Sequence, residues 1–237
     1  MSDPELTAII QRYKDEFANR IVEEEIEPLV LAASRGRLED VMVLVEHDMD
    51  VNEEGFDDKL YGYATPIAGA AMYGHKQVIE YLLQHEADPS IVNDENETAL
   101  HLALRHTTFY FTQLHHDEEH YTNDGLAERV DIIRLLAETM SPDAINTLDK
   151  TNLQHIDGQQ TALDVAYHWA WGSTNEEVMA SEIRQEVIQI LRENGALANK
   201  FDENGNDVGD GNGDLNTATN GPAGPDDDNP PTALLRF

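Results

Sequence analysis

The chain has 237 residues, 47 acidic against 15 basic side chains, a formal net charge of -32 and no cysteine. It therefore has no disulfide, no thiolate metal site and no thiol nucleophile. Its charge disfavours the phosphate-neutralising contacts by which proteins hold nucleic acid or anionic membranes. Two readings suit the acid excess equally: a basic partner, or adaptation to salt. There is no apolar run of eighteen residues, and Met1 to Glu5 lacks the basic-then-apolar pattern of a secretory signal. A soluble intracellular protein is expected, cytoplasmic with the nucleus open.

Taken in order, the chain first shows a helix signal. Ser2 and Glu5 form a capping-box pattern with Pro4 in the first turn, and Leu6, Ile9, Ile10, Tyr13, Phe17 and Ile21 follow at helical spacing. Residues 1–26 are expected to be an amphipathic helix that covers an apolar end of the fold. Next, Leu29, Leu31, Ala32 and Ala33 predict a short helix, and Leu38, Val41, Leu44 and Val45 a second one. The loop after them places Phe56, Tyr61 and Tyr63 beside Glu53, Glu54, Asp57 and Asp58. Aromatics among acids can read a basic peptide. The simpler reading is that they pack on a neighbouring loop.

The stretch from Ala64 to Asn93 is the most regular. Thr65-Pro66 starts a helix, because the hydroxyl caps free amides and Pro at the first position loses no hydrogen bond. Ile67, Ala70 and Ala71 give it a small apolar face, Gly74-His75 breaks it, and Val78, Tyr81 and Leu82 form a second amphipathic helix. Such a pair cannot bury both faces alone. A matching start, Thr98-Ala-Leu-His101-Leu-Ala103, follows 33 residues after Thr65, another begins at Thr161, and Pro28 to Val41 is a degenerate earlier copy.

With Thr-Pro-Ile, Thr-Ala-Leu-His, Gly-His and a 33-residue step on the page, the chain resembles the ankyrin repeat family. The resemblance implies an all-α solenoid of stacked helix-turn-helix units. Four units are assigned, at about 27–63, 64–96, 97–159 and 160–197. It also implies a non-catalytic scaffold for protein partners, and a structural role for His101 in hydrogen bonding at its repeat start.

Two units depart from the pattern. Thr65 to Val78 spans 13 residues, but Thr98 to Val130 spans 32 and Thr161 to Val187 spans 26. The added residues fall where the turn between helices belongs, and carry Phe109, Tyr110, Phe111 and Tyr121 in one unit and Trp169 and Trp171 in the other. Insertions at equivalent turns become neighbours in a stack, so an aromatic annex is expected, either self-supporting or partner-binding. Thr174 and Glu177 predict a capped helix running to Asn194-Gly195, and residues 141–160 a long polar loop ordered in part.

The first insertion holds His115, His116, Glu119 and His120. His116-x-x-Glu119-His120 matches the inverted zinc-peptidase spacing, so a metal-binding or hydrolytic protein is one alternative reading. An acidic mimic of nucleic acid that occupies basic proteins is another. A solvated polar turn is the plainer account of the histidines. Residues 198–237 are rich in Gly, Asn and Asp, and their composition predicts a disordered acidic tail. Asp202-x-Asn204-x-Asn206 and Asp210-x-Asn212-x-Asp214 lack the glycine and bidentate glutamate of calcium loops. The sequence thus supports a monomeric binding module for a protein with a basic or mixed surface. No catalytic residue, cofactor, nucleic acid or membrane is expected.

Overall fold

The computed structural model describes residues 3–17, 27–57, 62–114, 123–150, 159–167 and 176–199. Helix α1 is Pro4–Phe17. Two short helices follow, α2 (Pro28–Ser34) and α3 (Leu38–Glu46), then an antiparallel pair of strands, β1 (Gly55–Asp57) and β2 (Gly62–Ala64). The remaining helices are α4 (Pro66–Tyr73), α5 (Lys76–Gln84), α6 (Ala99–Leu114), α7 (Asn123–Thr139), α8 (Pro142–Ile145), α9 (Ala162–Tyr167) and α10 (Glu176–Glu193). Two layers result. The inner layer runs α2, α4, α6, α9 and the outer layer α3, α5, α7, α10, each helix touching the next in its layer and its own partner in the other. This is a repetition of one two-helix unit, each unit packed chiefly on its neighbours.

Small residues let the inner helices approach. Ala32, Ala33, Ala70, Ala71, Ala103 and Ala166 are all buried. A Cβ on Gly69 would stand 2.3 Å from Ser34 Oγ, so α2 and α4 meet where a side chain has been removed. Larger side chains fill the space between the layers: Leu31, Leu44, Ile67, Ile79, Leu82, Leu100, Ile133 and Leu136 are fully buried.

The turns are set by backbone handedness. Gly36 and Gly74 take φ of +66° and +81°, the left-handed conformation that ends a helix. Glu27 to Gly36 and Thr65 to Gly74 are the same distance, and in the next unit that position is Thr107. A β-branched residue does not take the left-handed conformation readily. Thr107 stays helical and donates its hydroxyl to the Ala103 carbonyl at 2.6 Å. The helix therefore runs on: α6 has 16 residues against 8 in α4, and α7 has 17 against 9 in α5. The expected turn insertion is spent largely on lengthening these two helices.

One further expectation is corrected. The fold is helical except for the β1–β2 hairpin, which occupies part of the loop after α3: Phe56 faces Tyr63 across the two strands. A Cβ on Gly55 would stand 2.4 Å from the Glu27 Cβ, so the first strand lies close to the start of α2. At the start of α1, Asp3 Oδ1 accepts the Glu5 amide at 2.8 Å and the Asp3 carbonyl accepts the Thr7 amide, while Ser2 lies outside the described residues. Within residues 141–160, Ser141 caps the short helix α8 through a 3.3 Å bond from the Ala144 amide. The tail from 200 onward, both calcium-like spacings and the Thr174 cap lie outside the described residues.

Helix α1 lies against α2 and α3. Tyr13 is fully buried and donates its hydroxyl to Asp40 Oδ2 at 2.7 Å, while Arg12 reaches the same carboxylate at 2.6 Å. Burial and the Asp40 contact hold the Tyr13 hydroxyl well above its ordinary range, so it remains a donor at every accessible pH.

Leu82 and Leu100 test the register. Replacing either with Ala should lower unfolding free energy by about 2–5 kcal/mol, through lost transfer energy and the cavity left behind. Urea denaturation reads this directly, and parent-like stability of both variants would contradict the packing.

Candidate functional site

A concavity of about 510 Å³ lies between two projecting edges of consecutive units. One edge is strand β2, contributing Gly62, Tyr63 and Ala64. The other is the turn Asn93 to Glu97. The floor comes from the inner helices, Met72 on α4 with Leu102, Arg105 and His106 on α6. Met72 and Arg105 stand 33 positions apart, as do Tyr73 and His106, so the repeat itself brings each pair side by side. Tyr73 and His106 meet edge to face with ring centroids 5.6 Å apart.

The turn is held by its own side chains. Asn93 Oδ1 accepts the amides of Glu95 at 3.0 Å and Glu97 at 2.8 Å. Asn96 takes φ of 59°, a conformation that Asn tolerates better than most residues. The following loop then braces the turn from outside. Asn96 Nδ2 donates to the Leu148 carbonyl at 2.6 Å, the Lys150 amide donates to the Glu95 carbonyl at 2.7 Å, and Lys150 Nζ donates to the Asp94 carbonyl at 3.2 Å.

Behind the turn sits a buried ion cluster. Arg105 Nε lies 2.6 Å from Glu97 Oε1, and a second guanidinium nitrogen contacts Asp149, whose side chain is wholly buried. The other oxygen of Asp149 accepts the Gln160 amide at 2.8 Å. Burial raises the Glu97 carboxyl above its ordinary range, against the lowering effect of Arg105. Burial also pushes His106 down to about 4, with Arg129 adding to the effect, so it is neutral at pH 7. Tyr63 stands at the rim, 38% exposed, with its ring 5.8 Å from that of Phe56 in an edge arrangement.

Of the residues singled out from sequence, Phe56 and Tyr63 are brought together at this cleft, with Phe56 half-buried behind Tyr63. Phe109, Tyr110 and Phe111 fall in the later turns of α6, and their side chains lie outside the described residues. Tyr61, Tyr121, Trp169, Trp171, His115, His116, Glu119 and His120 also lie outside them, so the annex and the zinc-like spacing have no described geometry. Among the described residues no cluster of three or more histidine or acidic side chains is placed to hold a metal ion, and no helix is long and apolar enough to cross a membrane. Reading the sequence did not pick out Met72, Glu97, Leu102, Arg105 or His106. The 33-residue step was the signal available for them, since it aligns Met72 with Arg105 on adjacent helices.

His101 is structural. It is fully buried, its Nδ1 accepts the Thr98 amide at 3.3 Å and lies 2.9 Å from Thr98 Oγ1. In the fourth unit Asp164 takes the same place beside Thr161, accepting its amide at 2.9 Å.

Residues 29–115 match the family model described as ankyrin repeats (3 copies). The chain is similar to Palmitoyltransferase AKR1 of Lachancea kluyveri, 37% identical over 81 residues, which is 34% of this chain and 10% of that protein. It is also similar to the ankyrin repeat and SAM domain-containing protein 6 of Rattus norvegicus, 35% identical over 77 residues, 32% of this chain and 8% of that protein. The chain thus spans a tenth or less of the length of these curated relatives.

Burial pushes His101 down to about 4 from an ordinary 6.5, so folding favours its neutral form. The stability this supplies is complete above pH 6.5 and is lost as pH falls toward 4, by about 2 kcal/mol between pH 7.5 and 5. His106 acts in the same direction, and Glu97, with its raised value, in the opposite one. Urea melts across this range should show stability falling with acid, with a shallower fall in His101→Gln. A slope unchanged by that substitution would contradict the assignment.

Proposed function

We propose that this chain is a non-catalytic protein-interaction module, on the ground that residues 29–115 match the ankyrin repeat family model. Its binding site is the cleft between β2 and the turn from Asn93 to Glu97. The observation that carries the reading is the cleft itself: about 510 Å³, open to solvent, with Met72 and Leu102 giving its floor an apolar part and Tyr63, Asp94 and Glu95 at its rim. Concave sites with a few convergent polar groups are where ligands bind. Asp94 and Glu95 are exposed at the rim, which favours a basic or mixed peptide over an acidic one.

The palmitoyl transfer named for one relative belongs to a protein of which this chain matches a tenth. This chain has no cysteine, and so no thiol on which an acyl group could be carried.

A random peptide display selection against the full chain tests the proposal. Selected peptides should lose at least several-fold in affinity for Tyr63→Ala, at unchanged melting temperature, and keep full affinity for Gln84→Ala, an exposed position on α5 away from the cleft. Peptides indifferent to Tyr63→Ala would place the binding surface elsewhere.

A further inference from the structure

The charges around the cleft are unevenly matched. Four carboxylates line or back it: Asp94, Glu95, Glu97 and Asp149. Among the described residues two cations oppose them, and both are engaged. Arg105 is held between Glu97 and Asp149, and Lys150 Nζ is drawn to the Asp94 carbonyl oxygen. His106 contributes no charge at neutral pH, because burial keeps it unprotonated. The described residues of the site therefore carry two negative charges in excess, over a floor formed in part by Met72 and Leu102.

Resting on the reading of the cleft as the binding site, we infer that it is a pocket for one cationic side chain, lysine or arginine, presented by a peptide. Such a side chain has two chemically different parts. Its methylene stem matches the thioether and isobutyl surfaces of the floor, where it removes apolar area from water. Its charged head cannot be buried without a partner, and the rim carries the exposed carboxylates of Asp94 and Glu95. The exposed carboxylates of Asp94 and Glu95 give charge complementarity, and the Tyr63 ring offers a face to the cation. An acidic side chain meets repulsion in the same place. A purely apolar one leaves the rim carboxylates unused and gains only from the floor. The turn is pre-formed by Asn93 and braced by Lys150, so little ordering is required when the ligand enters.

The test uses the full chain and three fluorescein-labelled peptides that differ at one central position flanked by leucines: lysine, norleucine or glutamate. Norleucine keeps the stem and removes the charge. The lysine peptide should bind roughly tenfold more tightly than the norleucine peptide, and the glutamate peptide more weakly still. The gap should persist at about 0.3 M salt, where the diffuse attraction of an acidic protein for any cation is screened. The double variant Asp94→Asn with Glu95→Gln keeps side-chain shape and should close the gap while leaving norleucine binding unchanged. Equal binding of the lysine and norleucine peptides would overturn the inference, as would a gap that survives in the double variant, or no binding of the lysine peptide below about 1 mM. If the norleucine peptide binds as well as lysine and both remain sensitive to Tyr63→Ala, the cleft stands as a protein-binding site and only the cationic preference fails. If no peptide responds to Tyr63→Ala, the cleft reading fails with it.

Discussion

The inner helices α2, α4 and α9 end with carbonyl groups that their own backbone cannot bond, and side chains from elsewhere in the stack supply donors for them. His75 Nε2 lies 3.1 Å from the Ser34 carbonyl at the end of α2. Arg129 donates to the Met72 and Tyr73 carbonyls at the end of α4, at 3.3 and 3.2 Å. Arg184 does the same for Ala166 and Tyr167 at the end of α9, from within its own unit. A cation or a ring nitrogen placed there both satisfies orphan acceptors and complements the negative end of the helix. The fit is close: a Cβ on Gly36 would lie 2.5 Å from the His75 ring, and one on Gly74 would lie 3.0 Å from the Arg129 guanidinium. The left-handed glycine therefore performs two tasks, turning the chain and leaving room for the neighbour's donor.

This arrangement explains which parts of the molecule were legible in the sequence. Thr65-Pro66, Gly74-His75 and Thr98-to-His101 are local signals with local causes, and each leads to the structure it predicts. Helical spacing puts Leu82 on an apolar face, and it is fully buried. The hairpin was not legible, because its three-residue strands have no periodicity to detect and depend on packing against α2. Of the residues that line the cleft, the sequence singles out only Tyr63. Its floor is made by residues that touch because two units are stacked, and that relation emerges only when the 33-residue step is applied position by position. The long helices α6 and α7 were read as an inserted turn. The cause was visible in a single residue, Thr107 in place of glycine, but its effect required knowing that the preceding helix could simply continue.

Acidity and burial are separate matters in this chain. The surface carries a large excess of carboxylates, yet several of the few basic side chains are placed where the fold requires a cation: Arg12 on Asp40, Arg35 on Glu16, Arg105 between Glu97 and Asp149, Arg129 on the end of α4. Arginine suits these places because its planar group donates in several directions at once and stays charged when buried. Removing one partner from a buried pair leaves an uncompensated charge, which is far more costly than losing an exposed pair. The few cations thus matter to architecture out of proportion to their number.

The bracing of the turn from Asn93 to Glu97 has a consequence for the order in which the molecule assembles. Stacked helix pairs close contacts between residues near one another in the chain, and such contacts form quickly. The turn is different, because Asn96 and Lys150 join segments 52 and 56 positions apart. Those bonds can close only after α6, α7 and α8 are in place, since the loop that supplies them follows all three. The wall of the cleft is therefore completed late. A nascent or partly unfolded chain can hold its first two units intact while the cleft is still open on one side.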